Sequence, residues 1–258
     1  MSDQIRIFSF VGSCAGEGSH TKKASDMLAE AVSDKAAKAG QSVSYECVTG
    51  DQLRIEYCRS CTSCFRKGFC PLDEKDDMPL LRQKFLGADI IFFCTPVYLW
   101  EMSGMCKSVI DRITCWSHRM ELAGKAAVTL ACTDTSTGPD LEKRFKDLFS
   151  FTGAAVVNGI TVRKYGPLNK PGSDELNALM EKTAQMLLEA ADDPAPYITE
   201  LQEQQYRNLA KSAMSMKKLK DRFGIMPADE ARVCIERGLH EYGSFAEYIR
   251  KVKEAHDQ

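Results

Sequence analysis

The sequence predicts a doubly wound α/β fold: a five-stranded parallel sheet in the order 2-1-3-4-5, covered by helices on both faces and followed by a helical C-terminal extension. Three observations carry this expectation. Short apolar runs alternate five times with longer amphipathic stretches over residues 1–191. Several of the short runs are largely apolar, as strands buried on both faces require. Beyond Asp192-Asp193-Pro194-Ala195-Pro196, where two prolines and two aspartates stop the preceding helix, the pattern is helical only.

Each element follows in order. Ile5 to Val11 reads as a buried strand, and Lys22 to Ala39 as a helix with Met27, Leu28, Ala31 and Val32 near helical spacing. Gly40 stands where that helix ends. Ser42 to Val48 alternates as a second strand. Met78 to Phe85 is a helix leading into the third strand, Asp89 to Cys94, and Met105 to Trp116 reads as the helix after it. Lys125 to Cys132 is the fourth strand, Leu141 to Phe149 a helix, and Ala154 to Val162 the fifth strand. Ser173 is the expected N-cap of a helix reaching Ala190. In the extension, 192–258, helices are expected over Tyr197 to Phe223, Pro227 to Arg237 and Ser244 to Ala255. No catalytic motif stands there, so the extension reads as a helical cap or dimerisation arm, with partner binding or substrate covering as the alternative.

Hydrophobic residues make up 44% and charged residues 27%, with a net charge of -2 and a pI of about 6.1. That balance gives no overall basic surface of the kind nucleic acid or an anionic membrane would select. No apolar run approaches a membrane span of about 20 residues, and the start carries no secretory pattern, so the expected location is the cytoplasm. Eleven cysteines are many for a reducing compartment, which argues against a disulfide framework. Cys47, Cys94 and Cys132 fall in or beside apolar runs and read as small core hydrophobes.

In doubly wound sheets ligands bind at the carboxyl ends of strands. The loop after strand one, Gly12 to Thr21, has three glycines, the hydroxyls of Ser13, Ser19 and Thr21, and a helix N-terminus whose free N–H groups favour an anion. It makes a phosphate cradle, though neither the dinucleotide glycine pattern nor a P-loop; an ordinary Gly/Ser turn is the alternative. The loop after strand three, Thr95 to Gly104, offers Tyr98 and Trp100 as flat faces for a planar ring, with simple loop packing as the alternative.

The cysteine-rich loop, 57–71, is the most specific feature. Cys58, Cys61 and Cys64 recur every third residue, and Cys70 follows, with Pro71 after it. Cys-x2-Cys-x2-Cys is ferredoxin-type spacing for three thiolates on one [4Fe–4S] cluster, here with a fourth cysteine in the same loop. Zinc held by four thiolates and metal-free thiols remain open alternatives.

The Gly-Ser…Ser-His-Thr loop, the Thr-Pro-Val-Tyr…Ser-Gly loop and the Lys107…Asp111-Arg112 pair resemble the flavodoxin-like NAD(P)H-dependent FMN reductases over roughly residues 4–190. The cysteine motif resembles that of the iron–sulfur flavoprotein branch. The resemblance implies FMN, its phosphate on Ser13, Gly18, Ser19, His20 and Thr21 and its ring against Pro96, Val97, Tyr98, Leu99 and Trp100. Thr133, Asp134, Thr135 and Gly138 would reach the ring from the other side. It further implies a cluster on Cys58, Cys61, Cys64 and Cys70, NAD(P)H as electron donor, and a homodimer or homotetramer.

Redox chemistry would then belong to the flavin, so no catalytic side chain is expected. His118, His240 and His256 read as surface residues. Three functions compete. The first is an iron–sulfur flavoprotein passing electrons between NAD(P)H or ferredoxin and an acceptor. The second is an NAD(P)H-dependent flavin reductase of a small quinone, azo or nitro compound, with a structural or metal-free cysteine loop. The third is a non-enzymatic carrier docking through its helical tail.

Overall fold

A computed structural model describes residues 4–134, 140–165 and 173–256 of the 258. The chain runs β1 (Gln4–Val11), α1 (His20–Lys38), β2 (Ser42–Thr49), a short α2 (Ser63–Arg66), α3 (Met78–Gly87), β3 (Ile90–Tyr98), β4 (Glu101–Met102) and α4 (Gly104–Arg112). It continues with β5 (Ala126–Thr133), α5 (Leu141–Ser150), β6 (Ala155–Arg163), α6 (Asp174–Asp192), α7 (Glu200–Phe223), α8 (Asp229–Glu236) and α9 (Phe245–His256). The five parallel strands take the expected order, β2-β1-β3-β5-β6. The two-residue β4, antiparallel to the end of β3, is a sixth strand that sequence alone did not indicate.

Side-chain alternation splits the interior into two layers. Ile5, Ile7 and Val11 of β1, with Ile90 and Phe92 of β3, face α1 and α6, meeting Leu28, Val32, Met180 and Leu187. Phe8 and Phe10, with Ile91 and Phe93, face the other way onto α3, α4 and α5, meeting Leu81, Phe85, Val109, Phe145 and Phe149. Every strand of the centre is thus apolar on both sides, which is why the runs read as continuous rather than alternating. The expected helix over 105–116 is interrupted: α4 ends at Arg112 and a 3-10 turn covers Thr114–His118, which puts Cys115 and Trp116 into the second layer.

The C-terminal helices build a third core of Tyr206, Leu239, Phe245, Tyr248 and Ile249 against Met120 and Ala123. Gln202 fastens α7 to the sheet by donating to the carbonyls of Ser150 and Ala154 at 3.0 and 2.9 Å. His240 departs from its expected surface position. Its side chain is 9% exposed, because the turn carrying it is drawn in by Leu239, whose carbonyl accepts from Tyr206.

A cavity of about 510 Å3 lies at the amino ends of the strands, remote from the loops expected to bind ligand. Lys125 lines it and donates to the Ala88 carbonyl at 2.7 Å. Burial pushes the Lys125 ammonium down to about 8 against the opposing pull of Asp89. Between about 8 and the ordinary 10.5 the unfolded chain binds more protons than the folded one, so stability rises with pH across that window. Below it the buried charge is a constant cost. Lys125→Met should therefore raise the unfolding free energy at pH 7 by on the order of 1 kcal/mol and abolish the alkaline rise. Urea titrations at pH 7, 9 and 10 check both effects; an unchanged alkaline slope would assign the rise to another group.

Candidate functional site

The carboxyl ends of β1, β3 and β5 bring the three expected loops to one edge of the sheet. The first loop is pinned at its root. Gly12 donates its N–H to the Cys94 carbonyl at 2.8 Å and accepts from the Ser103 hydroxyl at 2.8 Å. A Cβ at Gly12 would overlap Cys106 Sγ, so glycine is what lets β1 turn against α4. Ser103 also caps α4, accepting from Cys106 N at 3.2 Å, while its own N–H donates to Thr95 Oγ1 at 2.9 Å. Ser103 therefore laces the first loop to the second. No ligand role pointed to it in the sequence, although Ser103-Gly104 ahead of an amphipathic run is an N-cap signal.

The cradle itself is made of hydroxyls with donor capacity to spare. Ser13 Oγ accepts from Ala15 N at 3.3 Å and Ser19 Oγ, the N-cap of α1, accepts from Lys22 N at 3.2 Å. Each acceptor role leaves the O–H proton free for an anion. The first-turn N–H groups of α1, including those of His20 and Thr21, have no intrahelical acceptor. His20 is exposed; Thr21 is 2% exposed with its hydroxyl turned to Cys132, so what it offers a ligand is its backbone N–H. Gly18 is exposed and a Cβ there would meet nothing within 4 Å. This donor set, with space above it, fits a phosphate.

In the second loop, Pro96 and Val97 close β3, and Tyr98 pairs with Glu101 across a two-residue turn. Leu99 and Trp100 form that turn with φ of 47° and 66°. Two successive left-handed residues match the twist of a hairpin, but the role normally falls to Asn or Gly. Tyr98, Leu99 and Trp100 are 63, 99 and 59% exposed, an open apolar ledge beside the cradle. A planar heterocycle fits such a ledge better than a buried core would. In the third loop Thr133 and Asp134 are held by backbone bonds from Lys164 and Tyr165 at 2.9 and 2.8 Å; Thr135 and Gly138 lie outside the described residues.

The connection from β2 to the cysteine loop starts beside the cradle, where Gly50 N donates to the Ser13 carbonyl at 2.9 Å. Its far side is clamped. Arg112, 1% exposed, pairs with Asp76, itself fully buried, and with Asp73 at 3.0 Å, and donates to the Glu56 carbonyl at 2.8 Å. Arg119 donates to the Cys64 carbonyl and to Asp229 of α8, both at 2.7 Å. Ser60, Thr62 and Gly68 have φ of 53°, 57° and 79°, the repeated turns a thiol-rich loop needs.

Cys58 and Cys61 are exposed; Cys64 and Cys70 are half-buried, and none of the four is in a disulfide. The Ser63 N–H and hydroxyl hold the Cys61 thiol below its ordinary value. Burial pushes Cys64 up, and its thiol contacts that of Cys115, which burial pushes up to about 12. Cys115 is a fifth thiol at the loop, brought in by the break after α4. The donor chemistry suits a thiolate-bound metal. Its geometry does not yet: among the described residues no three His, Cys, Asp or Glu side chains converge to hold one.

Among the described residues no helix is long and apolar enough to cross a membrane.

Residues 5–164 match the family described as NADPH-dependent FMN reductase. Two proteins of Archaeoglobus fulgidus, each called iron-sulfur flavoprotein, are 35% identical over 72 residues and 32% identical over 95. Those stretches cover 28 and 37% of this chain and 32 and 45% of the relatives, so each match spans less than half of the relative's length. Among solved structures, RosB with bound 8-demethyl-8-formylriboflavin-5'-phosphate superposes with a TM-score of 0.54 at 15% identity, covering 87% of this chain and 92% of RosB. An oxidoreductase of Corynebacterium diphtheriae gives 0.52 at 16% identity, covering 72 and 96%. These two likenesses speak to the fold; the match over 5–164 speaks to descent, and with it the chain belongs to the NADPH-dependent FMN reductase family.

Proposed function

We propose that this FMN-dependent oxidoreductase is an iron–sulfur flavoprotein, which takes electrons from NAD(P)H or ferredoxin and passes them on through FMN and a [4Fe–4S] cluster on Cys58, Cys61, Cys64 and Cys70. The observation that carries the reading is four unpaired cysteines in one solvent-open loop, reached from an end of β2 that is bonded to the phosphate cradle. The names of the two curated relatives support it. FMN, when bound, supplies hydride acceptance and release of electrons singly or in pairs. The chain's part is to bind and orient. Ser13, Gly18, Ser19, His20 and Thr21 hold the phosphate, and the ledge from Pro96 to Trp100 seats the ring, with Thr133 and Asp134 of the third loop reaching it from the other side. Arg59, Arg66 and Lys67 offset the charge of thiolate-bound iron.

A second reading is favoured by one observation, that the four thiols stand apart. In it the chain is a flavin reductase of a small quinone, azo or nitro compound, and the loop is metal-free or structural. Iron, zinc and flavin assays on anaerobically purified protein separate the two. The first reading expects iron with flavin, and in Cys61→Ser an iron content reduced at least about tenfold with flavin retained. Iron-free protein whose NAD(P)H oxidation survives Cys61→Ser establishes the second.

A further inference from the structure

The helical extension carries a surface that its fold leaves uncovered. α7 is a 24-residue helix, roughly 36 Å long. Its first half is docked through Gln202, Tyr206 and Ala213. From Met214 onward nearly every residue is exposed, including Leu219 at 38% and Phe223 at 61%, and the linker adds Ile225 at 48% and Met226 at 71%. An apolar stripe that outruns its own cover is an interaction surface rather than scattered exposure.

The same segment is strongly basic. Lys211, Lys217, Lys218, Lys220 and Arg222 face one carboxylate, Asp221, in a chain whose net charge is -2. Lys217, Lys218, Lys220 and Arg222 are all exposed and have no acidic partner among the described residues.

This surface is continuous with the cysteine loop. Three residues beyond Met226, the Asp229 carboxylate lies so close to Gly68 that a Cβ there would meet it at 2.6 Å. On the loop side of that contact stand Arg66, Lys67 and Phe69, the last 54% exposed. α8 thus joins the loop to the end of α7, its Asp229 neutralised by Arg119 and Arg232, and leaves two basic, partly apolar segments on either side of it beside the thiols.

From this continuity we infer that the face docks an acidic protein, of the class of small acidic electron carriers, and holds it against the cysteine loop. A second copy of this chain packing symmetrically through the same helix would set like charges against like. An anionic membrane would suit the charge but has no use for a face set beside the thiols.

The inference rests on the electron-transfer reading, yet its test reads binding alone. The probe is a purified plant-type [2Fe–2S] ferredoxin, an acidic protein, titrated against the full chain by calorimetry or surface immobilisation. Binding should weaken about tenfold between about 50 and about 300 mM salt. It should weaken by at least about tenfold in Lys217→Glu/Lys218→Glu/Lys220→Glu. Phe223→Ser/Met226→Ser should lose it likewise, with flavin content and thermal unfolding unchanged in both variants. No ferredoxin binding, or binding indifferent to the charge reversal, overturns the inference. Sedimentation with phosphatidylserine vesicles in place of ferredoxin binding overturns it in favour of a membrane. Dissociation of an oligomer by the Phe223/Met226 variant assigns the face to a second copy and overturns it too. Iron-free protein that still binds ferredoxin through this face would sink the cluster and leave the docking surface standing.

Discussion

Arg112→Met should cost about 3–5 kcal/mol of unfolding free energy at pH 7, the usual range when one partner of a buried ion pair is removed. The arginine is 1% exposed and its partner Asp76 is fully buried. Burial alone pushes the Asp76 carboxyl up; the Arg112 hydrogen bond and the N–H groups of Glu56 and Met78 outweigh it and hold the group below the usual carboxylate range. In the native protein this contribution is present above the ordinary carboxylate value and is lost as pH falls through the lower folded one. Methionine removes the largest interaction opposing burial, so the Asp76 carboxyl moves up toward its unfolded value and the acid loss of stability shrinks. Guanidinium titrations at pH 7 and about 3 read both effects. Arg112→Met/Asp76→Leu should recover most of the loss, since an apolar pair of similar volume leaves no charge buried alone. A single variant with unchanged stability would mean the clamp is not closed in solution.

Gly12→Ala should yield protein purified without flavin, with FMN affinity down on the order of 100-fold, about 2.7 kcal/mol. The new Cβ overlaps Cys106 Sγ and comes within 3.0 Å of Ser103 Oγ and 3.3 Å of Cys106 N. Neither α4 nor β1 can yield without moving the cradle, because Ser103 ties both to the second loop. Overpacking of this kind costs about 1–3 kcal/mol of stability. Cys106→Ala in the same chain removes the worst overlap and should restore part of the flavin content. Flavin-to-protein ratio and fluorescence titration measure the effect. Full flavin occupancy in Gly12→Ala would place FMN somewhere other than this cradle.

The fold was legible because its information is periodic. Ile5 to Val11 and Asp89 to Cys94 are apolar at every turn of the pleat or nearly so, and only a doubly covered sheet buries both sides. Ser173, the expected N-cap, is bonded to an N–H three residues on, a relation written locally; Ser19 and Ser103 cap by the same relation, so those helices begin earlier than the expected Lys22 and Met105. What escaped depends on contacts distant in sequence or on broken local rules. The turn at Leu99-Trp100 uses two residues that ordinarily avoid the left-handed region, so no turn signal announced it. Cys115 looked like one more residue of a continuous helix; the break after Arg112 turned it toward Cys64. The Arg119–Asp229 bridge joins residues 110 positions apart, and neither sequence neighbourhood hints at the other. His240 was placed at the surface on type alone, whereas Leu239 beside it decides its burial.

The Asp229 contacts have a consequence for how this chain can vary. Arg119 grips the Cys64 carbonyl while Asp229 lies against Gly68, and both are set by helices outside the loop. The extension therefore acts as a gauge for the interval between the two residues. One residue more or fewer between Cys64 and Gly68 would take one of them off its mark. In descendants of this chain the extension and the spacing of that interval should be inherited as a unit, and relatives lacking α8 should be the ones in which the interval drifts.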